Sequence, residues 1–130
     1  MTDLTQDERH EAGTAVRREV AGDSFVDSSV AGTTTFTADF QDLITRYAWG
    51  EIWTRPGLDR RSRSIVTLTA LVSGGHWGDL ATHVRGAVRN GLSVEEIKEV
   101  LLQTAVYCSV PSAKQAFKVA QDVLREDGLI

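Results

Sequence analysis

Apolar residues recur along this chain at helical spacing, and no convincing alternation of apolar and polar positions marks a strand. Thr5–Val20 is charged, with Ala12, Ala15, Val16 and then Ala21 at roughly helical intervals, and predicts a partly exposed helix. Gly22–Thr37 mixes Asp, Ser, Gly and Thr around Phe25, Val26, Val30 and Phe36. It reads as a long connection or arm with apolar anchors, of the kind that is functional or packs on a partner. Ala38–Trp49 returns to helical spacing, with Phe40, Leu43, Ile44, Tyr47 and Ala48 on one stripe and Thr37 or Asp39 as its cap. Gly50–Leu58 breaks the pattern, and Pro56-Gly57 is strong turn punctuation.

From Asp59 onward the pattern predicts four helices. Asp59 caps Arg60–Ser73, whose apolar positions are Ile65, Val66, Leu68, Leu71 and Val72, and Gly74-Gly75 ends it. Gly78–Asn90 carries Leu80, Val84, Ala87 and Val88 on one face, with Asn90-Gly91 as its stop. Ser93 and Glu96 form a capping box, opening a helix with Ile97, Val100, Leu101, Ala105 and Cys108 inward. Pro111 suits the first turn of a last helix, Ser112–Glu126. The predicted fold class is all-α, a compact bundle of about six helices. A single domain spans residues 1–130, with an N-terminal helix and arm over 1–37 and a helical core over 38–130.

Composition narrows the functional classes. The net charge is −4 without any Lys/Arg block, so nucleic acid is not an expected partner. The lone cysteine, Cys108, excludes an internal disulfide and any CxxC redox or zinc motif, and it suits a reducing cytoplasm. Met1–Arg18 lacks the apolar core of a signal peptide, and no run of about 18 apolar residues offers a membrane span.

Four places could carry chemistry. His83 lies three residues after Leu80 and four before Ala87, on or beside the apolar stripe of its helix. It is either a hydrogen-bonded structural histidine or a proton donor in a pocket. Arg85, two residues on, points away from His83 on an ideal helix, as a solvated or ion-paired arginine or as part of a site between subunits. Glu51-Ile52-Trp53-Thr54-Arg55-Pro56-Gly57 sets a carboxylate, an indole and a guanidinium between two helices. The alternative there is that Trp49 and Trp53 plug the core while Arg55 pairs with Glu51. Arg60, Arg61 and Arg63 open a helix against its dipole, which points to an anion site, with Arg63 the strongest candidate. His76, Asp79 and His83 can be drawn as three metal ligands, but no supporting shell is recognisable and no metal is expected.

The run Trp49-Gly-Glu-Ile-Trp-Thr-Arg-Pro-Gly-Leu58, then Arg63-Ser64, His83-Val-Arg85, Asn90-Gly91, Glu96-Ile-Lys-Glu99 and Gln103-Thr-Ala-Val-Tyr-Cys-Ser-Val-Pro111 resembles the gamma-carboxymuconolactone decarboxylase family. Ala12-Gly-Thr-Ala-Val-Arg-Arg18 and Asp39-Phe-Gln41 match its opening segment. The resemblance implies an alkylhydroperoxidase D-like helical fold, assembled as a homohexamer. It also implies decarboxylation of 4-carboxymuconolactone to the beta-ketoadipate enol-lactone, in the protocatechuate branch of aromatic catabolism, without metal or organic cofactor. The peroxidase relatives use a glutamate, a CxxC pair and a histidine, which fall here on Ser64, His76, Asp79 and His83. With no thiol pair, disulfide-exchange chemistry has no nucleophile.

On this resemblance the catalytic set is His83, Glu51 and Arg85. His83 supplies the proton or meets the oxyanion, and Glu51 orients His83 or an arginine. Arg55, with Arg63 or Arg85, holds the carboxylates of a small lactone dicarboxylate, and Trp53 walls the ring. The alternatives are a decarboxylase or hydrolase of a related lactone acid, and a non-enzymatic helical protein of the same fold.

Overall fold

The computed structural model describes residues 3–130, so the first two positions of the Met1–Arg18 stretch lie outside it. The described residues form seven α-helices and one π-helical segment, with no strand among them. Their contacts divide the chain into two compact units, residues 1–58 and 59–130.

The first unit begins with α1, Gln6–Ala21, whose N-cap Thr5 accepts a hydrogen bond from the Glu8 amide at 3.1 Å. Gly22, at φ 95°, ends it in a conformation that favours glycine. The chain then forms α2, Asp23–Ala31, where the sequence predicted a connection. The turn-forming composition of this stretch hides a nine-residue helix, which is anchored through Val26 at 2% exposure. This helix raises the count from about six to seven.

The next helix, α3, spans Ala38–Ile44. Of the two expected caps Thr37 takes the N-cap position, but its side chain makes no capping bond to the helix. The Thr37 hydroxyl instead accepts from the Thr34 amide at 3.0 Å, and Asp39 lies inside the first turn. The helix then widens into a π-helical segment, Thr45–Ile52, beyond the predicted end at Trp49. Its i→i+5 pattern includes the Trp53 amide donating to the Ala48 carbonyl at 3.0 Å.

Close backbone approach explains how α1 lies on this segment. A Cβ on Gly13 would stand 2.0 Å from the Thr45 carbonyl oxygen, and one on Gly50 would stand 2.2 Å from the Arg9 carbonyl oxygen. Two glycines facing backbone let the helices touch where any side chain would hold them apart. Val16, Val20 and Trp49 form the small core beside that contact.

The second unit holds α4 (Arg60–Gly74), α5 (Trp77–Arg89), α6 (Val94–Tyr107) and α7 (Val110–Glu126). Their boundaries follow the local signals. The Asp59 carboxylate accepts from the Ser62 amide at 2.7 Å, and Gly75 closes α4 at φ 68°. Both bonds of the Ser93–Glu96 capping box are present. Pro111 sits in the first turn of α7.

The main core lies within this unit. Leu68 and Val72 of α4, Leu80, Val84 and Ala87 of α5, Ile97 and Leu101 of α6, and Ala116, Ala120, Val123 and Leu124 of α7 are all buried together. Each fully buried Leu, Ile or Val contributes about 1.5–3 kcal/mol. This cluster therefore fixes the backbone of α5, from which His83 and Arg85 project.

Candidate functional site

In the second unit His83 occupies the middle of α5, between the buried Leu80 and Ala87. The ring is half-buried. Burial lowers its pKa from the ordinary 6.5, and the Asp79 carboxylate one turn earlier opposes that shift as the smaller effect. The imidazole is therefore neutral at pH 7. In that state one ring nitrogen donates a hydrogen bond and the other accepts.

Arg85 faces elsewhere, as helix geometry predicts for a residue two positions away. Its Nε donates to Asp127 Oδ2 at 2.9 Å, and its Nη2 lies 3.1 Å from Glu126 Oε2. The hydrogen bond it donates to Asp127 is the main cause that raises its pKa. Arg85 thus ties α5 to the end of α7.

Arg63 is half-buried near the start of α4. Beside it the Ser64 hydroxyl, 1% exposed, accepts from Asn90 Nδ2 at 2.8 Å, joining the start of α4 to the end of α5. Arg61 is committed to structure. Its guanidinium donates to the Gly91 carbonyl and to both oxygens of Glu96. That contact comes first among the causes that hold the Glu96 carboxyl at about 2. Among the three arginines that open α4, Arg61 is thereby engaged within the protein.

In the first unit Glu51 lies on the π-helical segment, exposed, with Oε1 3.9 Å from Arg9 Nη1. The carboxylate borders a cleft of about 330 Å³ lined by Gln6, Arg9, Leu43, Arg46, Tyr47 and Glu51. The volume falls in the range of small-ligand sites. Trp53 stacks on Trp49, with ring centroids 5.3 Å apart and 25° between the planes, at the edge of the small core that Trp49 forms with Val16 and Val20. Trp49 is thus a core plug, and Trp53 is the half-buried ring covering it. Arg55 follows in the exposed turn after the segment, its amide donating to the Ile52 carbonyl at 3.1 Å.

Two charged features escaped the sequence reading. Arg9 and Arg46 set two guanidinium groups on the cleft that Glu51 borders. Arg17 is buried on α1 at 7% exposure. Its signal was present, because Gly13, Val16, Arg17 and Val20 share the i, i+3, i+4, i+7 spacing of a buried face. The drawn metal set finds no support in the geometry: among the described residues no three His, Cys, Asp or Glu side chains gather as ligands. Among the same residues no helix is long and apolar enough to cross a membrane.

Residues 38–122 match the carboxymuconolactone decarboxylase family. The chain is 41% identical over 129 residues to the nitrosuccinic acid decarboxylase of Metarhizium robertsii, covering 96% of this chain and 90% of that protein. It is 36% identical over 126 residues to the 4-carboxymuconolactone decarboxylase of Acinetobacter baylyi, covering 97% of this chain and 94% of that protein. A 48-residue 4-carboxymuconolactone decarboxylase sequence from Pseudomonas putida is 40% identical over its full length, covering 37% of this chain.

Proposed function

Because the chain belongs to the carboxymuconolactone decarboxylase family and is a carboxy-lyase, we propose that it decarboxylates 4-carboxymuconolactone to the beta-ketoadipate enol-lactone, in the protocatechuate branch of aromatic catabolism. The observation that carries this reading is the 36% identity to a 4-carboxymuconolactone decarboxylase along 97% of the chain. A cytoplasmic location accompanies it.

The chemistry asks little of a cofactor. The carboxylate on the ring carbon leaves as CO₂, and the electron pair of the broken C–C bond moves through the ring double bond to the lactone carbonyl. The resulting dienolate is then protonated at carbon. The substrate supplies its own electron sink, so the protein must hold two carboxylates, meet the oxyanion and deliver one proton.

The neutral His83 suits the second and third tasks. Its N–H donates to the growing oxyanion, and a bound dianion raises its pKa so that the ring can carry the proton. The carboxylates go to Arg55 and Arg63. Arg85, engaged by Asp127 and Glu126, acts by positioning α5 unless substrate displaces those partners. Glu51 orients a guanidinium, as its contact with Arg9 already does, and Trp53 shields the ring from water. A homohexamer remains the proposed assembly, supported by the exposed apolar side chains Phe40, Leu43 and Tyr47.

A second reading takes nitrosuccinic acid as substrate, favoured by the 41% identity to a nitrosuccinic acid decarboxylase over 96% of the chain. Nitrosuccinic acid poses the same problem, since it has two carboxylates and a nitro group that accepts the electron pair left by CO₂. The deciding experiment gives the purified protein freshly made 4-carboxymuconolactone and nitrosuccinic acid in parallel, following CO₂ release and product. Rapid, chelator-resistant turnover of the lactone alone supports the first reading. Preference for nitrosuccinic acid replaces it with the second.

A further inference from the structure

The cleft beside α1 gathers charges that lie far apart in the sequence. Arg9 comes from α1, Arg46 and Glu51 come from the π-helical segment, and Leu43 and Tyr47 supply apolar walls. An α-helix would turn Arg46 and Glu51 away from each other, since its neighbours on one face are three or four residues apart. The i→i+5 pattern brings together residues five apart, as these two are. The widened turns, of a kind frequent at functional sites, thus set both side chains on the cleft.

The two guanidinium groups are used differently. Arg46 donates from Nε to Asp42 Oδ2 at 2.9 Å and from Nη1 to Gln6 Oε1 at 2.8 Å, so its charge is balanced and its position held. Arg9 and Glu51 face each other more loosely. Arg9 Nη1 and Glu51 Oε1 are 3.9 Å apart, beyond hydrogen-bond distance, and both side chains are open to solvent, 26% and 46% exposed. An exposed pair at this separation contributes little, so exchanging it for better-bonded partners costs little. With Arg46 balanced by Asp42 and Arg9 by Glu51, the cleft has no excess charge that would favour a simple anion. It offers a fork of N–H donors beside a carboxylate, next to the exposed apolar surface of Leu43 and Tyr47. That array is complementary to a carboxylate and an ammonium carried on one carbon, with an apolar group attached. A volume of about 330 Å³ admits a molecule of this size.

We propose that this cleft is a second binding site, for an apolar α-amino acid. The ligand carboxylate takes the fork of Arg9, its ammonium takes Glu51, and its side chain lies on Leu43 and Tyr47. The site leaves Arg55, Arg63 and His83 to the substrate. Glu51 is shared with the residues given a part in decarboxylation, so binding is read directly and not through turnover.

The probe is L-phenylalanine, whose ring can stack on Tyr47. Its binding to the intact protein is measured by calorimetry, beside 3-phenylpropionate, which lacks the ammonium, and 2-phenylethylamine, which lacks the carboxylate. Phenylalanine is expected to bind with a Kd of about 0.1–1 mM, and each analogue about tenfold more weakly or worse. Arg9→Gln and Glu51→Gln each remove one charge from a solvent-open position and should melt as the parent does. Each should weaken phenylalanine binding about tenfold or more, whereas Arg9→Gln should leave phenylethylamine unaffected. The analogue comparison on the parent stands even if a variant does not fold. Sedimentation follows assembly, since Leu43 and Tyr47 also belong to the apolar surface offered to a homohexamer. Absence of phenylalanine binding by the parent would overturn the proposal. So would equal binding of all three compounds, or unchanged phenylalanine affinity in both variants. Loss of assembly in either variant, with no phenylalanine binding by the parent, would give the cleft to a second copy and equally overturn it.

Discussion

His83 is a titratable ring on a helix that buries Leu80, Val84 and Ala87 beside it, and its neutral state has two measurable consequences. If the ring protonates carbon or meets the oxyanion, His83→Ala should lower kcat at least ~100-fold while the variant stays folded. Steady-state kinetics beside a circular-dichroism melt check this, and a near-normal rate would remove the assignment. The second consequence concerns stability. The unfolded chain binds a proton at this histidine below about pH 6.5, whereas the folded chain resists it. This contribution is therefore complete above pH 6.5 and is lost as pH falls from there through the lowered folded value. Urea titrations at pH 8 and pH 5 should show a smaller acid-induced loss for His83→Gln than for the parent. Cys108 is half-buried on the α6 side of the core, as its place on the inward face predicted.

At the scale of elements, the second unit was legible because its boundaries are written locally. Asp59, Gly75, Asn90-Gly91, the Ser93–Glu96 box and Pro111 each act within about four residues, and each lies where the pattern placed it. The first unit was less legible because its determinants are contacts between elements. The spacing of Phe40, Leu43, Ile44, Tyr47 and Ala48 predicted one α-helix, yet α3 gives way to π-helical turns at Thr45. A hydrophobic period of 3.6 does not reveal where a helix widens. The close contact of Gly13 and Gly50 with backbone opposite them was equally invisible, because a glycine inside a helix looks only like a weak helix former. Gly13→Ala should cost about 1–3 kcal/mol or more, since the atoms it meets are backbone and cannot rotate away. Chemical denaturation checks this, and a loss below 0.5 kcal/mol, roughly the scale of a neutral surface change, would contradict it.

For the molecule as a whole, the exposed apolar side chains are the main unfinished feature. Phe36 is 94% exposed and Phe40 60%, while in the second unit Val106 is 76% and Tyr107 80% exposed. Phe40, Leu43 and Tyr47 of the predicted stripe are thus exposed in a single chain, whereas Ile44 and Ala48 are partly buried. If a homohexamer covers the exposed three, Phe40→Asp should yield smaller species by sedimentation velocity with the helical circular-dichroism spectrum retained. An unchanged sedimentation coefficient would place the interface elsewhere. The sequence by itself determined the all-α class, the four helices after Asp59 and the decarboxylase family, and it posed the choice at His83 between a structural histidine and a proton donor. Each of these depends on short-range spacing or on motifs whose chemistry is local. The tertiary structure alone decided that Arg85 joins the end of α7, that Trp53 stacks on Trp49 and that Arg17 is buried against Gln41. Those outcomes depend on which distant residue arrives beside a side chain, and helical periodicity records only the face from which it leaves.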